Sequence, residues 1–244
     1  MEVAHLQPLS LLDYPGKVAA AVWTVGCNLR CPYCYNAELV LPELGADLPR
    51  LPAEAVVARL QERVGFLDGV VVTGGEPTLH RDLVAFVRRL KELGFLVKLD
   101  TNGTHPGVLR SLLEDRLVDY VALDLKAPFA RYREFTGLLS PDPVASELVS
   151  DIVLRVRESI ALIRDHAPDY EFRTTVAPGL APDDMIAIAN EIRGARRYAL
   201  QPFFAPEGKR LVDETWRGQF TLSAEKLRSL LPELQEFVPT ELRG

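Results

Sequence analysis

Continuously apolar runs of valine and leucine alternate with helical patterns along this chain, and that alternation constrains the fold more than any other feature. Runs such as Val70-Val71-Val72-Thr73 and Val121-Ala122-Leu123-Asp124-Leu125 do not switch regularly between apolar and polar residues, so they suit strands covered on both faces. Strands are expected at Val18–Thr24, Val70–Thr73, Leu96–Asp100, Tyr120–Leu125, Glu171–Val176 and Arg197–Gln201. Helices are expected near Pro52–Val64, Asp82–Leu93, Pro106–Asp115, Ser146–Asp165, Asp183–Ile192 and Ala224–Phe237. The repeating order of strand, loop and helix is that of parallel strands joined by crossover helices. Six such units predict an α/β fold, an incomplete (β/α)6 barrel with its helices outside. In such barrels the loops after the C-terminal strand ends carry the chemistry. The polar motifs of this chain fall at those ends: CNLRCPYC after the first strand, GGEP after the second, DTNGT at the third and DLK at the fourth. Leu138–Pro143, with two prolines and a serine, reads as a long surface loop.

Composition narrows the function by exclusion. The 244 residues, 48% of them hydrophobic and 25% charged, are enough for one sizeable core, and a single domain over 1–244 is expected. No window approaches the roughly 20 apolar residues of a membrane helix, and MEVAHLQPLS lacks the basic flank and apolar stretch of a signal peptide. The expectation is a cytoplasmic protein with no membrane partner. A net charge of −6 with interspersed signs argues against a nucleic-acid partner, because phosphate binding needs clustered lysine and arginine. All three cysteines lie between positions 27 and 34, which makes no disulfide framework and suits a metal site in a reducing compartment.

The spacing in Cys27-Asn-Leu-Arg-Cys31-Pro-Tyr-Cys34 lets one loop wrap three corners of a cubane cluster and leaves the fourth iron without a protein ligand. Simple electron carriers fill all four positions with cysteine. An open iron is free to bind and act on a substrate, as open zinc sites are. Two other readings of the residues are a structural zinc completed by His5 or His80, and three thiols with no ligand at all. Zinc sites, however, favour paired ligands two to four residues apart.

The C-x3-C-x-aromatic-C pattern, with Tyr33 in the aromatic position, resembles the radical S-adenosylmethionine (SAM) superfamily over nearly the whole chain. The resemblance implies that Cys27, Cys31 and Cys34 hold a [4Fe–4S] cluster, that SAM chelates its open iron, and that reductive cleavage yields a 5′-deoxyadenosyl radical. It also implies that the main chain around Tyr33 runs along the adenine, although an aromatic there would also serve simple packing.

Thr73-Gly74-Gly75-Glu76-Pro77 read alone is a tight strand-to-helix turn, whose paired glycines also let the backbone approach a ligand. Beside the cysteine loop it resembles the family's GGE motif, so Gly74, Gly75 and Glu76 are expected to bind SAM, with the carboxylate facing its ammonium. Asp100-Thr101-Asn102-Gly103 alone reads as a turn, and Asp124 and Lys126 share one strand face and could simply pair. Together the two segments resemble the strand ends of glycyl-radical-enzyme activases. That resemblance gives Asp100, Thr101 and Asp124 a monovalent cation beside the SAM carboxylate and turns Lys126 toward SAM. Arg173 matches an activase arginine that reaches SAM, and read alone would equally serve as a surface charge.

His5, His80, His105 and His166 show no ligand spacing, Trp23 reads as core, and Trp216 has no evident place. Gln201-Pro202-Phe203-Phe204 is expected to line the adenine pocket, with Phe204 where some activases carry histidine.

Leu12-Asp13-Tyr14-Pro15-Gly16-Lys17, Cys34-Tyr35-Asn36, and Asp124-Leu125-Lys126-Ala127-Pro128 followed by Tyr132 and Thr136-Gly137 resemble the anaerobic ribonucleoside-triphosphate reductase activating proteins. The implied reaction abstracts hydrogen from one glycine Cα of a large partner, a glycyl-radical enzyme of the anaerobic ribonucleotide reductase kind, with a low-potential reductant such as flavodoxin or ferredoxin. No residue need act as acid, base or nucleophile, so no catalytic residue is assigned. The nearest alternative is a small-molecule enzyme such as a 7-carboxy-7-deazaguanine synthase.

Overall fold

The computed structural model describes residues 1–138 and 143–243, of which 143–147 by their backbone alone. Most of the expected loop Leu138–Pro143 therefore lies outside the described residues. Among the described residues, nine strands form one sheet: β1 (Glu2–Ser10), β2 (Ala19–Thr24), β3 (Leu51–Pro52), β4 (Gly69–Gly74), β5 (Leu96–Thr101), β6 (Tyr120–Asp124), β7 (Tyr170–Val176), β8 (Tyr198–Pro202) and β9 (Thr240–Leu242). Their order is β3-β1-β2-β4-β5-β6-β7-β8-β9, parallel from β2 through to β9, with β1 antiparallel to both β2 and β3. The six expected strands are all present. β1, β3 and β9 extend the sheet at its two ends, and β3 and β9 do not meet, so the barrel stays open.

The parallel strands bury both faces for different reasons. Outward, Val22, Val70, Val72, Val97, Leu99, Val121, Leu123 and Phe172 form the main core with the helices. The helix Leu83–Glu92 supplies Leu83, Phe86, Val87 and Leu90, a one-sided stripe at helical spacing. It ends where Gly94, at φ +90°, lets its own N–H reach Lys91 O and that of Phe95 reach Leu90 O. This is the glycine-terminated turn that satisfies the last helix carbonyls and delivers the chain into β5. Inward, small side chains at Ala19, Ala21, Val71 and Ala122 leave room for Tyr14 and Tyr120, whose rings lie 5.8 Å apart. Inner residues of β2 and β6 share that cluster although two strands separate them, so the sheet curls.

Above this apolar floor the interior becomes ionic, with Lys98, Asp100, Asp124, Glu171 and Arg173 all on inward positions of β5, β6 and β7. The other expected helices are present at Ala53–Gln61, Pro106–Glu114, Pro143–His166, Pro182–Glu191 and Ala224–Leu234. No helix among the described residues is long and apolar enough to cross a membrane.

Candidate active site

Residues 25–36, after β2, form the cysteine loop, and four neighbouring segments hold it by backbone hydrogen bonds. Gly26 N donates to Leu39 O (2.8 Å), Glu76 N donates to Gly26 O (2.7 Å), and Arg30 N donates to Thr136 O (2.9 Å). From the long connection after β8, Val212 N donates to Cys34 O (2.9 Å) and Asp213 N donates to Pro32 O (3.0 Å). A β-carbon on Gly75 would lie 1.9 Å from Gly26 O, one on Gly74 2.2 Å from Thr24 N, and one on Gly137 2.1 Å from Arg30 O. The glycine pair at the end of β4 is thus required first by close backbone approach, of the end of β2 at Gly74 and of the cysteine loop at Gly75, rather than by a ligand.

All twelve residues singled out in the sequence line one cleft of about 420 Å³ at the C-terminal strand ends. Cys31 is buried while Cys27 and Cys34 are partly exposed. Burial pushes the Cys27 thiol up to about 11, with Glu76 adding to it, and the Cys31 thiol up to about 12 against the pull of Lys126. The thiols are therefore protonated at neutral pH, and loading a metal displaces those protons. Among the described residues, no three histidine, cysteine, aspartate or glutamate side chains converge to hold a single metal ion. His80 does not complete a zinc site: its Nε2 lies 3.0 Å from Val25 O. Three thiols that share a loop and a cleft without converging on one point suit a cubane, whose irons sit at separate corners.

Glu76 bridges two strand ends. Its Oε1 accepts from Thr78 N (3.1 Å), Thr78 Oγ1 (2.5 Å) and Thr101 Oγ1 (2.7 Å), and its Oε2 accepts from Asn102 N (2.7 Å). Burial holds the carboxyl above the ordinary glutamate range in spite of those four donors. Thr101 Oγ1 in turn accepts from Gly103 N (3.1 Å).

Asp100 and Asp124 face three cations. Asp100 Oδ1 pairs with Lys98 Nζ, and Arg173 Nη1 donates to Asp100 Oδ2 (3.3 Å). Arg173 Nε donates to Asp124 Oδ1 (2.8 Å), and Lys126 Nζ donates to Asp124 Oδ2 (3.1 Å). Burial raises the Asp124 carboxyl, but Arg173 and Lys126 outweigh it and hold the group well below the usual range. Burial likewise disfavours the Lys126 ammonium, and Asp124 more than offsets it. Arg173 is an interior ion-pair partner and not a surface charge.

Tyr33 is buried, packed against Phe135, Phe203 and Trp216 with ring centroids 6.0–6.5 Å away. Trp216, without a place in the sequence reading, belongs to this aromatic cluster. Trp23 faces inward and lines the cleft instead of joining the outer core. Phe203 lines the cleft with Gln201, Pro202 and the largely exposed Phe204. Two groups were missed in the sequence. Asn102 Nδ2 donates to Asn28 Oδ1 (3.0 Å) and Asn28 Nδ2 donates to Thr104 Oγ1 (2.9 Å), tying the cysteine loop to the end of β5. Lys98, the second, is only 1% exposed and lies beneath the cleft floor. Its alternation with Asp100 along β5 was the available signal.

The sequence profile of the Radical SAM superfamily matches residues 22–192, and the chain belongs to that superfamily. It is a radical SAM enzyme, a class whose chemistry depends on a [4Fe–4S] cluster and SAM. A protein of Methanocaldococcus jannaschii, provisionally named a glycyl-radical enzyme activating enzyme, is 34% identical over 93% of this chain and 89% of its own length. A 7-carboxy-7-deazaguanine synthase of Thermococcus kodakarensis is 28% identical over 77% of this chain and 75% of its own length. Among solved structures, Streptococcus suis SuiB bound to S-adenosylmethionine superposes with a TM-score of 0.65 at 15% identity, over 92% of this chain and 52% of SuiB. That likeness concerns the fold alone.

Proposed function

We propose that this chain is a glycyl-radical-enzyme activating enzyme, with Cys27, Cys31 and Cys34 as cluster ligands and the remaining cleft as the SAM site. The observation that carries the reading is the near full-length similarity to the Methanocaldococcus jannaschii protein. The gathering of the cysteine, GGE, DTNG and DLK segments around one cleft supports it. Held by Cys27, Cys31 and Cys34, a reduced cluster would supply the one electron needed to split SAM into methionine and a 5′-deoxyadenosyl radical able to take a hydrogen atom from a glycine Cα of the partner.

The chain's own residues position and exclude. Tyr33 and its aromatic neighbours seal the cysteine loop from below, Glu76 locks the ends of β4 and β5 together, and Lys126 and Arg173 present positive charge to a carboxylate. A monovalent cation at Asp100, Thr101 and Asp124 would have to compete with Lys98, Lys126 and Arg173, because each carboxylate oxygen of the two aspartates already accepts from one of them and Thr101 Oγ1 donates to Glu76. The partner's class is a glycyl-radical enzyme, anaerobic ribonucleotide reductase by the resemblance of the LDYPGK and DLKAP segments, and the reductant a flavodoxin or ferredoxin.

Anaerobically reconstituted protein should hold close to four irons per chain, the cubane's number, and lose them in Cys27→Ala, Cys31→Ala or Cys34→Ala. With SAM, reductant and the cognate glycyl-radical protein it should give the doublet electron-spin signal of a glycine Cα radical, with deoxyadenosine in comparable amount. A partner with that glycine changed to alanine should give no such signal. The similarity to the Thermococcus kodakarensis synthase favours a second reading, a small-molecule enzyme. Conversion of 6-carboxytetrahydropterin with no protein partner present would establish that reading and overturn the first.

A further inference from the structure

The ionic floor of the cleft contains three positive side chains, Lys98, Lys126 and Arg173, and two negative ones, Asp100 and Asp124. The four carboxylate oxygens are divided among the three cations, with Lys98 on one oxygen of Asp100 and Lys126 on one of Asp124, while Arg173 bridges the other two. Glu171, fully buried on the same inner face, has its Oε2 held by Arg243 Nη2 (2.5 Å) and by the hydroxyl of Tyr120 (3.0 Å), while its Oε1 has no hydrogen-bond partner. The five-residue cluster thus carries one positive charge more than it needs.

Lys98 differs from the other two cations in its place. Lys126 and Arg173 line the cleft, whereas Lys98 does not, and its side chain is only 2% exposed. It rises from the inner face of β5 one strand period below Asp100, and its Nζ stands 5.9 Å from the centre of the Tyr120 ring. An ammonium so placed is desolvated, which is costly unless it neutralises a charge that would otherwise be buried alone.

We propose that Lys98 is a tethered cation that takes the place of a dissociable alkali ion at Asp100, leaving the remaining N–H groups of Lys126 and Arg173 to bind the carboxylate of an amino-acid-like ligand. This rests on the SAM-binding reading of the cleft, in which that carboxylate belongs to the methionyl end of SAM. A mobile cation added to a cluster already one charge positive meets repulsion and finds each oxygen of Asp100 and Asp124 already taken by one of the three cations. The side chain therefore makes the site independent of salt composition.

The test measures SAM affinity of the reconstituted holoenzyme, by equilibrium dialysis, in sodium, potassium and tetramethylammonium chloride at one ionic strength. Tetramethylammonium supplies charge but is too large to fill an alkali-ion site. Wild-type protein should bind SAM within about twofold in all three salts. Lys98→Met, which keeps length and removes charge, should bind SAM at least tenfold more weakly in tetramethylammonium and recover in sodium or potassium. Lys98→Arg should stay independent of salt, and it keeps the question answerable if the methionine variant does not fold. Wild-type protein that binds SAM only with sodium or potassium would overturn the inference, as would a folded, cluster-replete Lys98→Met that binds like wild type in every salt. Either result leaves the SAM-binding reading standing, whereas wild-type protein that holds a cluster yet binds no SAM in any salt sinks both.

Discussion

At the scale of single residues, Arg173 decides how much charge the interior tolerates. Its guanidinium touches both Asp100 and Asp124, and its side chain is 13% exposed. Arg173→Met leaves two carboxylates with fewer partners in a poorly solvated place, which should cost about 3 kcal/mol, the low end for a broken buried pair. Urea unfolding of the metal-free protein at pH 7 measures it. The pH dependence has a fixed sign. Asp124 is held below its ordinary value in the fold, so the stability it contributes is present above the unfolded carboxyl value, about 3.9, and fades as pH falls through the folded value. Wild-type stability should therefore drop between pH 5 and pH 3 by more than that of Arg173→Met. Equal slopes for the two proteins would mean that the ion pairs do not set the Asp124 titration.

At the scale of elements, the connection between β8 and the helix Ala224–Leu234 acts as a strap across the cysteine loop. It donates two backbone hydrogen bonds to that loop and packs Trp216 against both Tyr33 and Phe135, which also touch each other. Trp216→Ala should cost about 2 kcal/mol, less than for a fully buried tryptophan, and its more telling effect should be local. Limited proteolysis should cut within 203–222 faster, and the reconstituted cluster should be lost to a chelator sooner, while Trp216→Phe keeps most of the protection. A variant cut no faster than wild type would remove the strap's role.

The strap was not legible in the sequence, because its fastening is made by backbone groups and one aromatic ring in a charged stretch with no periodicity. β1 was missed for a related reason: it lies next to the edge of the sheet, its EVAHLQPLS mixes polar and apolar residues, and it pairs antiparallel to β2. β3 and β9, of two and three residues, carry too little pattern to read. The six inner parallel strands were legible because burial on both faces leaves unbroken apolar runs. The cleft residues were legible because the barrel carries its chemistry at the ends of those runs. What local reading could not supply was pairing: Glu76 with Thr101 and Asn102, or Lys98 with Asp100 against Arg173, is set by the register of neighbouring strands.

At the scale of the molecule, the open barrel is filled in layers, an apolar floor of Tyr14, Tyr120 and small side chains below, and paired charges above it under the cleft. β9 completes the charged layer from the far end of the chain. Arg243, just beyond β9, reaches in to Glu171 Oε2, while the other carboxylate oxygen of Glu171 has no hydrogen-bond partner. Arg243→Met would leave a fully buried glutamate with only the Tyr120 hydroxyl as donor. A buried carboxylate left with one donor is costly to keep in the fold. The variant should therefore lose about 2–3 kcal/mol relative to wild type, as read by denaturant unfolding of the metal-free protein at pH 8. Adding Glu171→Gln to Arg243→Met should restore part of that loss, since the amide carries no charge to bury. A deficit unchanged by the second substitution would mean that Arg243 serves the edge of the sheet through packing alone and that the ionic layer does not extend to β9.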